Sequence, residues 1–394
     1  MNQCFLRRIP GRTLEARREG SFLIRVGALC LGNGVGAGGF VWLCMSCDVR
    51  GFFVAFFPGG SYTMGIISCL DSCAFDGAAR MDGVAGESCM EDIIEEIERL
   101  KRERQAVILA HLYQPEEIQE IADFTGDSFG LSRQAARTDA KVIVFCGVRF
   151  MAETANILSP EKVTLLPAAD ATCRMFTDTL TDEVRRARAA HPDAVFVAYV
   201  NTPAAVKAMA DICCTSSNAA AVVASIPEDR EIVFLPDGNL GSFAEEQTGR
   251  QMICWRGGCP THMGLTEADI EAARAAYPGA PVLMHPECRP PVRALADYVG
   301  STTGIVKYAM ESEAREFIIA TEEGVLYELA ERCPGKRFHL ASRHLLCVNM
   351  KKTTLEKVRD ALETLMPRVV VPEEIREKAV TALTRMLQIA PVKK

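Results

Sequence analysis

Cys173, Cys259 and Cys347 are placed as a set able to do chemistry together. They stand 62, 60 and 62 residues after His111, Tyr199 and His285. Those three residues in turn open copies of one sequence unit. The unit reads AHLYQPEEIQEIADFTGDS at 110–128, AYVNTPAAVKAMADICCTS at 198–216 and MHPECRPPVRALADYVGST at 284–302. Within it Tyr113, Asn201 and Glu287 share one position, and Ser128, Ser216 and Thr302 share another. Three thiolates meeting at one point suit a [4Fe–4S] cluster with one iron left open, a Lewis acid for a bound hydroxyl or carboxylate. Structural zinc takes four closed ligands, and no fixed fourth is apparent. The plainer alternative is three buried cysteines alike by ancestry. Cys146, Cys213, Cys214, Cys254, Cys288 and Cys333 have no counterpart in all three copies.

The elements that must position these groups follow from the apolar pattern. Each unit begins on a strand-like run, continues with a proline at a helix start, and passes a Gly/Ser/Thr turn. A second strand follows: KVIVFCG, EIVFLPDG or EFIIATEEG. Asp123, Asp211 and Asp297 recur too and read as helix residues with a structural role. Three such repeats imply an α/β protein of three homologous small domains with parallel sheets. In parallel units, ligand groups gather beyond the carboxyl ends of strands, beside helix N-termini. Arranged around a pseudo-threefold axis, those edges would face one central cavity. The expected domains are 89–190, 191–278 and 279–370, with a C-terminal helix in 371–394. SCMEDIIEEIERLKRERQ, just inside the first, reads as an amphipathic helix.

Composition narrows the function classes. The chain has 394 residues and net charge −7, without a basic-aromatic run, so no nucleic-acid partner is expected. Sixteen cysteines scattered through apolar, helix-rich sequence fit a reduced, cytoplasmic protein with a thiolate site better than a secreted disulfide scaffold. Residues 1–88 read as an atypical extension, with Met64, Met81 and Met90 as alternative starts. FLIRVGALCLGNGVGAGGFVWLCMSC has the length of a membrane span, but Arg25 and six glycines make it a poor one. The CxxC of Cys44 and Cys47 has no histidine or second CxxC beside it. No membrane association is expected.

The motifs LAHLYQ, GDSFGLS, FCGVRFMAETANIL, AYVNT, CTSSNA, PDGNLG, WRGGCPTH, MHPEC, GSTTGI and LCVNMKKTTLEKV closely resemble quinolinate synthase, the A protein of NAD biosynthesis. They span about residues 90–370. The resemblance implies condensation of iminoaspartate with dihydroxyacetone phosphate to quinolinate, with loss of phosphate and two waters. It implies three α/β domains around a [4Fe–4S] cluster held by Cys173, Cys259 and Cys347, and functional coupling to aspartate oxidase. The family often has Gly/Glu-Cys-Ser where this chain has Thr172–Cys173–Arg174. Arg343, His344 and Leu345 stand where some relatives carry further cysteines.

The resemblance makes Glu287 a base and acid, with Tyr113 and His111 placing or protonating substrate oxygens. Ser128, Ser216, Thr302 and Thr303 become phosphate and carboxylate contacts, for which helix N-capping is the plainer alternative. Tyr199, Asn201 and His285 complete the substrate wall; core packing is the alternative for the histidines. His262 follows a ligand closely and reads as a supporting residue, and Asp127 as an orienting group or a turn cap. An aconitase-type hydro-lyase could use the same open iron, and an iron–sulfur sensor would need a DNA-binding module, which is not evident.

Overall fold

The computed structural model describes residues 84–390 throughout and, before them, four strand segments: β1 Cys30–Leu31, β2 Trp42–Cys47, β3 Arg50–Phe56 and β4 Tyr62–Gly65. These four pair antiparallel in chain order, a sheet where the sequence reading placed no element. The chain divides into two compact units, Met1–Met81 and Asp82–Lys394. Readings placed on the rest of 1–83 lie outside the described residues. Among the described residues no helix is long and apolar enough to cross a membrane.

The second unit carries three four-stranded sheets. The first uses β5 Ala106–His111, β6 Phe124–Gly126, β7 Val142–Cys146 and β8 Val163–Leu165. The second uses β9 Val195–Tyr199, β10 Ile212–Cys214, β11 Ile232–Leu235 and β12 Ile253–Cys254. The third uses β13 Val282–Met284, β14 Tyr298–Val299, β15 Glu316–Ala320 and β16 Arg337–Leu340. All pairs are parallel, and the spatial order is the same each time: β6-β5-β7-β8, β10-β9-β11-β12 and β14-β13-β15-β16. The α/β class and its parallel sheets are therefore as the repeats require. The central strands are covered on both faces, so β7 and β11 are buried along their whole length.

One repeated contact shows how the sequence unit builds the sheet. Asp123, Asp211 and Asp297 do not sit in helices. Each stands immediately before the edge strand β6, β10 or β14, because the helix after the proline is short, Glu116–Glu120 in the first repeat. Each Asp carboxylate accepts the backbone N–H of Ile108, Phe196 or Val282, at 2.8 Å in every case. Each Asp backbone N–H donates back to the carbonyl of that same residue, at 3.0, 3.0 and 2.9 Å. A basic side chain completes the clasp: Lys101, Arg188 or Arg274. The pattern begins the edge strand in register with the central one, which aligns their far ends.

Two C-terminal helices tie the repeats together. Leu355–Thr364 falls within segment 279–370 but packs against the first repeat, with Val358 and Leu362 beside Ile108 and Val144. Glu373–Gln388, the expected C-terminal helix, buries Ala379, Leu383 and Met386 in the core shared by the first two sheets.

Asp211→Ala removes a charge-assisted bond to a strand N–H, worth about 1.5–3 kcal/mol. We expect a lower denaturant midpoint, by roughly that free energy, with the reactive cavity's ligand affinity intact. An unchanged midpoint would show that the clasp is idle.

Candidate active site

The central strands β5, β9 and β13 all end at one cavity of about 270 Å³. His111 and Tyr113 arrive from the first, Tyr199 and Asn201 from the second, and His285 and Glu287 from the third, and all six line it. The strand ends are shaped alike. His111 Nδ1 accepts the Tyr113 backbone N–H at 3.1 Å, and His285 Nδ1 accepts that of Glu287 at 3.4 Å. Each neutral ring therefore carries its proton on Nε2. Burial pushes both imidazoles down to about 3, so they are uncharged at neutral pH.

Ser128, Ser216 and Thr302 reach the same wall. None is the helix cap. Asp127 and Ser301 cap helices Ser128–Arg137 and Thr302–Glu311 by accepting from Gly130 N at 2.9 Å and Gly304 N at 3.2 Å. In the second repeat Asn218 closes the turn by accepting from Thr215 N at 2.8 Å. The three hydroxyls are thus released from capping. Thr302 Oγ1 donates to the Tyr113 hydroxyl at 3.0 Å. Thr303 is exposed and is not among the lining residues.

Glu287 is buried with its charge. Burial alone would raise its carboxyl, but His285 and His262 beside it and the Tyr199 hydroxyl outweigh that and hold it below the usual carboxylate range. His262, also buried, places Nδ1 2.7 Å from Glu287 Oε2, close but without the alignment of a hydrogen bond, and stacks on His285 at 4.6 Å. The backbone of Glu287 is gripped as well. Asn239 donates to its carbonyl at 3.1 Å. The buried Arg293 guanidinium donates to the flanking carbonyls of Pro286 and Cys288, at 3.3 and 3.0 Å, and pairs with Glu246 of the second repeat.

Cys173, Cys259 and Cys347 are free thiols on the same cavity wall, one from each repeat. Burial is the main cause that raises all three, Cys173 to about 12. Cys347 acts on Cys173, and Cys173 on Cys259, so the thiols lie within electrostatic range of one another. Thiols held this high ionise against a bound cation, and three of them form a soft donor set. Asn201 Oδ1 and Glu287 Oε1 are buried without a protein partner, as a polar occupant would require. Cys259, His262 and Glu287 also place ligand atoms within 4.8 Å of one another. Cys146 and Cys288 are buried in apolar cores and do not line the cavity.

Sequence reasoning missed the groups that hold two of these cysteines. Asp237 Oδ2 accepts the Cys259 N–H at 3.1 Å, and Glu322 Oε1 accepts the Cys347 N–H at 2.9 Å. Both carboxylates are fully buried. They are equivalent by register, each two residues beyond the strand positions paired with Ala198 and Met284; the first repeat has Val148 there. A comparison of PDG with TEE after the second strands could have found them. Glu322 also binds Lys351, whose ammonium donates to the Tyr113 carbonyl at 2.8 Å. Gly324 then packs so closely that a Cβ would lie 2.7 Å from Tyr113 Cα. Arg174 and His344 line the cavity and were likewise not anticipated.

The family described as Quinolinate synthetase A protein matches residues 95–388, which take in all three parallel sheets. The chain belongs to this family. Its curated relatives in the quinolinate synthetase A family include a protein named quinolinate synthase from Methanoregula boonei, 54% identical over 75% of this chain and 97% of the relative. Another, from Desulforudis audaxviator, is 51% identical over 76% of this chain and 99% of its own. The one from Geobacter metallireducens is 52% identical over 75% and 97%. A cavity assembled from three repeats is thus a feature of the family-matched part of the chain.

Asp237→Ala leaves the N–H groups of Leu240 and Cys259 without their acceptor. The cost is about 2–4 kcal/mol, measurable as a shift of the denaturant midpoint. A midpoint equal to wild type would remove Asp237 as the anchor of the Cys259 loop.

Proposed function

We propose that this chain, like its relatives named quinolinate synthase, makes quinolinate, by the condensation of iminoaspartate with dihydroxyacetone phosphate that the sequence resemblance implies, losing phosphate and two waters. The observation that carries this reading is the meeting of Cys173, Cys259 and Cys347 with six strand-end residues in one cavity of a chain of this family. We assign the three cysteines as ligands of a [4Fe–4S] cluster; when bound, it supplies an open iron as Lewis acid for the dehydration. The three free thiols and the two unpartnered buried oxygens fit such a group and its substrate.

The side chains divide the remaining work. Both substrates are anions, and Ser128, Ser216 and Thr302 offer hydroxyls beside helix starts, where free N–H groups favour phosphate and carboxylate. Thr303 faces away and at most supports its neighbour. Glu287, anionic and stripped of water, takes a substrate proton as general base and returns it to a departing hydroxyl. His111 and His285, neutral and protonated on Nε2, donate to substrate oxygens without adding charge. Tyr113 stays a phenol, because burial pushes its ionisation well up, and so remains a donor. Asn201 Oδ1 is an acceptor for the substrate N–H, and Tyr199 closes the wall.

Three repeats with boundaries near 89–190, 191–278 and 279–370, related by a pseudo-threefold axis, account for the common sheet order. We place the protein in the cytoplasm, where reducing conditions preserve such thiols. Iminoaspartate hydrolyses in water, so an aspartate-oxidising enzyme, with aspartate oxidase as the proposed partner, must supply it.

The test is an anaerobic assay for quinolinate by mass, with iron and sulfide counts. About four irons per chain are expected. Cys173→Ser, Cys259→Ser and Cys347→Ser should each lose them, while Cys288→Ser and Cys146→Ser keep them. Metal that survives Cys173→Ser but not His262→Gln would assign the site to Cys259, His262 and Glu287 instead. Glu287→Gln should retain the iron and lower kcat by about 10²–10⁴-fold; near wild-type turnover would remove Glu287 as the base.

A further inference from the structure

One position of the repeat carries three different side chains that make the same bond. Gln119, Lys207 and Arg293 each stand six residues after Tyr113, Asn201 and Glu287, on the short helix that follows the strand end. All three are long, polar and buried. Each turns back and donates to the carbonyl at one equivalent place in its loop: Gln119 Nε2 to Gln114 O at 2.9 Å, Lys207 Nζ to Thr202 O, and Arg293 to Cys288 O at 3.0 Å. Gln119 and Arg293 also reach the carbonyls of Leu112 and Pro286, on the other side of the same loop. The residue enclosed is Tyr113, Asn201 or Glu287, which lines the cavity. Each donor also spans to the neighbouring repeat. Gln119 donates to Gly324 O at 2.9 Å and Arg293 to Asn239 O at 3.1 Å, two residues beyond Glu322 and Asp237. The counterpart in the first repeat, two residues beyond Val148, is Phe150, and Lys207 Nζ lies 5.5 Å from its ring centroid.

The clamp matters most where little else holds the enclosed residue. Thr302 and Thr321 hold the Tyr113 hydroxyl, at 3.0 and 2.7 Å, and two histidines crowd Glu287. Asn201 Oδ1 is buried with no protein partner, so its aim depends on the loop backbone. The next residue, Thr202, is fastened twice: its hydroxyl donates to Tyr199 O at 3.0 Å, and its carbonyl accepts from Lys207. Fastening it with an ammonium is costly. Burial pushes Lys207 down to about 8 while Glu153 acts to raise it, and an apolar side chain of the same length would fill the space without that cost.

We propose that Gln119, Lys207 and Arg293 are one set of positioning residues, each fixing the loop that presents a side chain to the substrate, and that Lys207 acts by its hydrogen bond through Asn201. The bond is what counts, not the charge: Gln119, which is uncharged, reaches the equivalent carbonyl from the equivalent position. The inference rests on the role proposed above for Asn201, an acceptor for the substrate N–H.

The test compares Lys207→Met, which keeps the bulk, with Lys207→Gln, which copies the first repeat, both as anaerobic holoenzyme. Lys207→Met should raise KM about fivefold, the weight of one hydrogen bond, with kcat within twofold, iron content unchanged and a denaturant midpoint no lower than wild type. A merely structural lysine would instead lower the midpoint and leave KM alone. Lys207→Gln should restore most of the affinity. In an Asn201→Ala background Lys207→Met should add nothing, because both changes act on one contact. Crystal structures should show the Asn201 amide displaced in Lys207→Met and returned in Lys207→Gln. Wild-type KM in Lys207→Met, additive losses in the double variant, or Lys207→Gln as impaired as Lys207→Met would overturn the proposal. The crystal structures answer without turnover: an Asn201 that moves as expected in a protein that makes no quinolinate would defeat the parent reading alone.

Discussion

A single buried carboxylate organises this cavity. Removing the Glu287 charge from water costs several kcal/mol, which only close partners can offset. The structure meets that demand from two sides. His262 and His285 crowd the carboxylate, and the Asn239 and Arg293 side chains clamp the peptide units around it. His262 follows the Cys259 loop and Arg293 reaches into the helix Gly238–Thr248, so satisfying one charge fastens the second repeat to the third. Polar networks of this kind are worth most when complete, because an unpaired member keeps its full desolvation cost.

The same logic explains where the repeats agree and where they part. The clasp of Asp123, Asp211 and Asp297 satisfies a strand N–H and sets sheet register, a need that each domain has separately, so all three keep it. The strand ends face the shared cavity and share no such need. There the repeats carry different chemistry: imidazole and phenol, phenol and amide, imidazole and carboxylate. The anchors of the cysteine loops also differ. Two are buried carboxylates, and in the first repeat Val148 stands at their position while the chain is held by Arg149 N donating to the Ala171 carbonyl at 2.9 Å.

Much of this was legible in the residues. Strand–helix–helix–strand units announced a parallel α/β fold, and the cysteine offsets, compared across copies, separated Cys173, Cys259 and Cys347 from the rest. The short strands β6, β10 and β14 were not visible, because two or three residues are too few to show a period of two and lie beside a helical pattern. Asp123, Asp211 and Asp297 were misplaced in helices for the same reason. Thr321, Asp237 and Glu322 were passed over because a hydroxyl or carboxylate after an apolar strand looks like an ordinary strand end until its partner from another repeat is known.

The sequence by itself determined the period of the chain, the strands that would end together and the residue types at those ends, because these depend on local pattern and repeat offset. It also determined that Ser128, Ser216 and Thr302 lie in the turns that lead into helices, although Ser128 and Thr302 prove to be the first residues of theirs. The tertiary structure alone decided that neighbouring residues close those turns, that Thr303 faces outward, and that Thr321 meets both the Tyr113 hydroxyl and His262 while His262 stands beside Glu287. Those outcomes depend on contacts between residues up to 208 positions apart. Such pairs leave no local signature, since each partner's environment exists only after three separately specified sheets have packed their strand ends together.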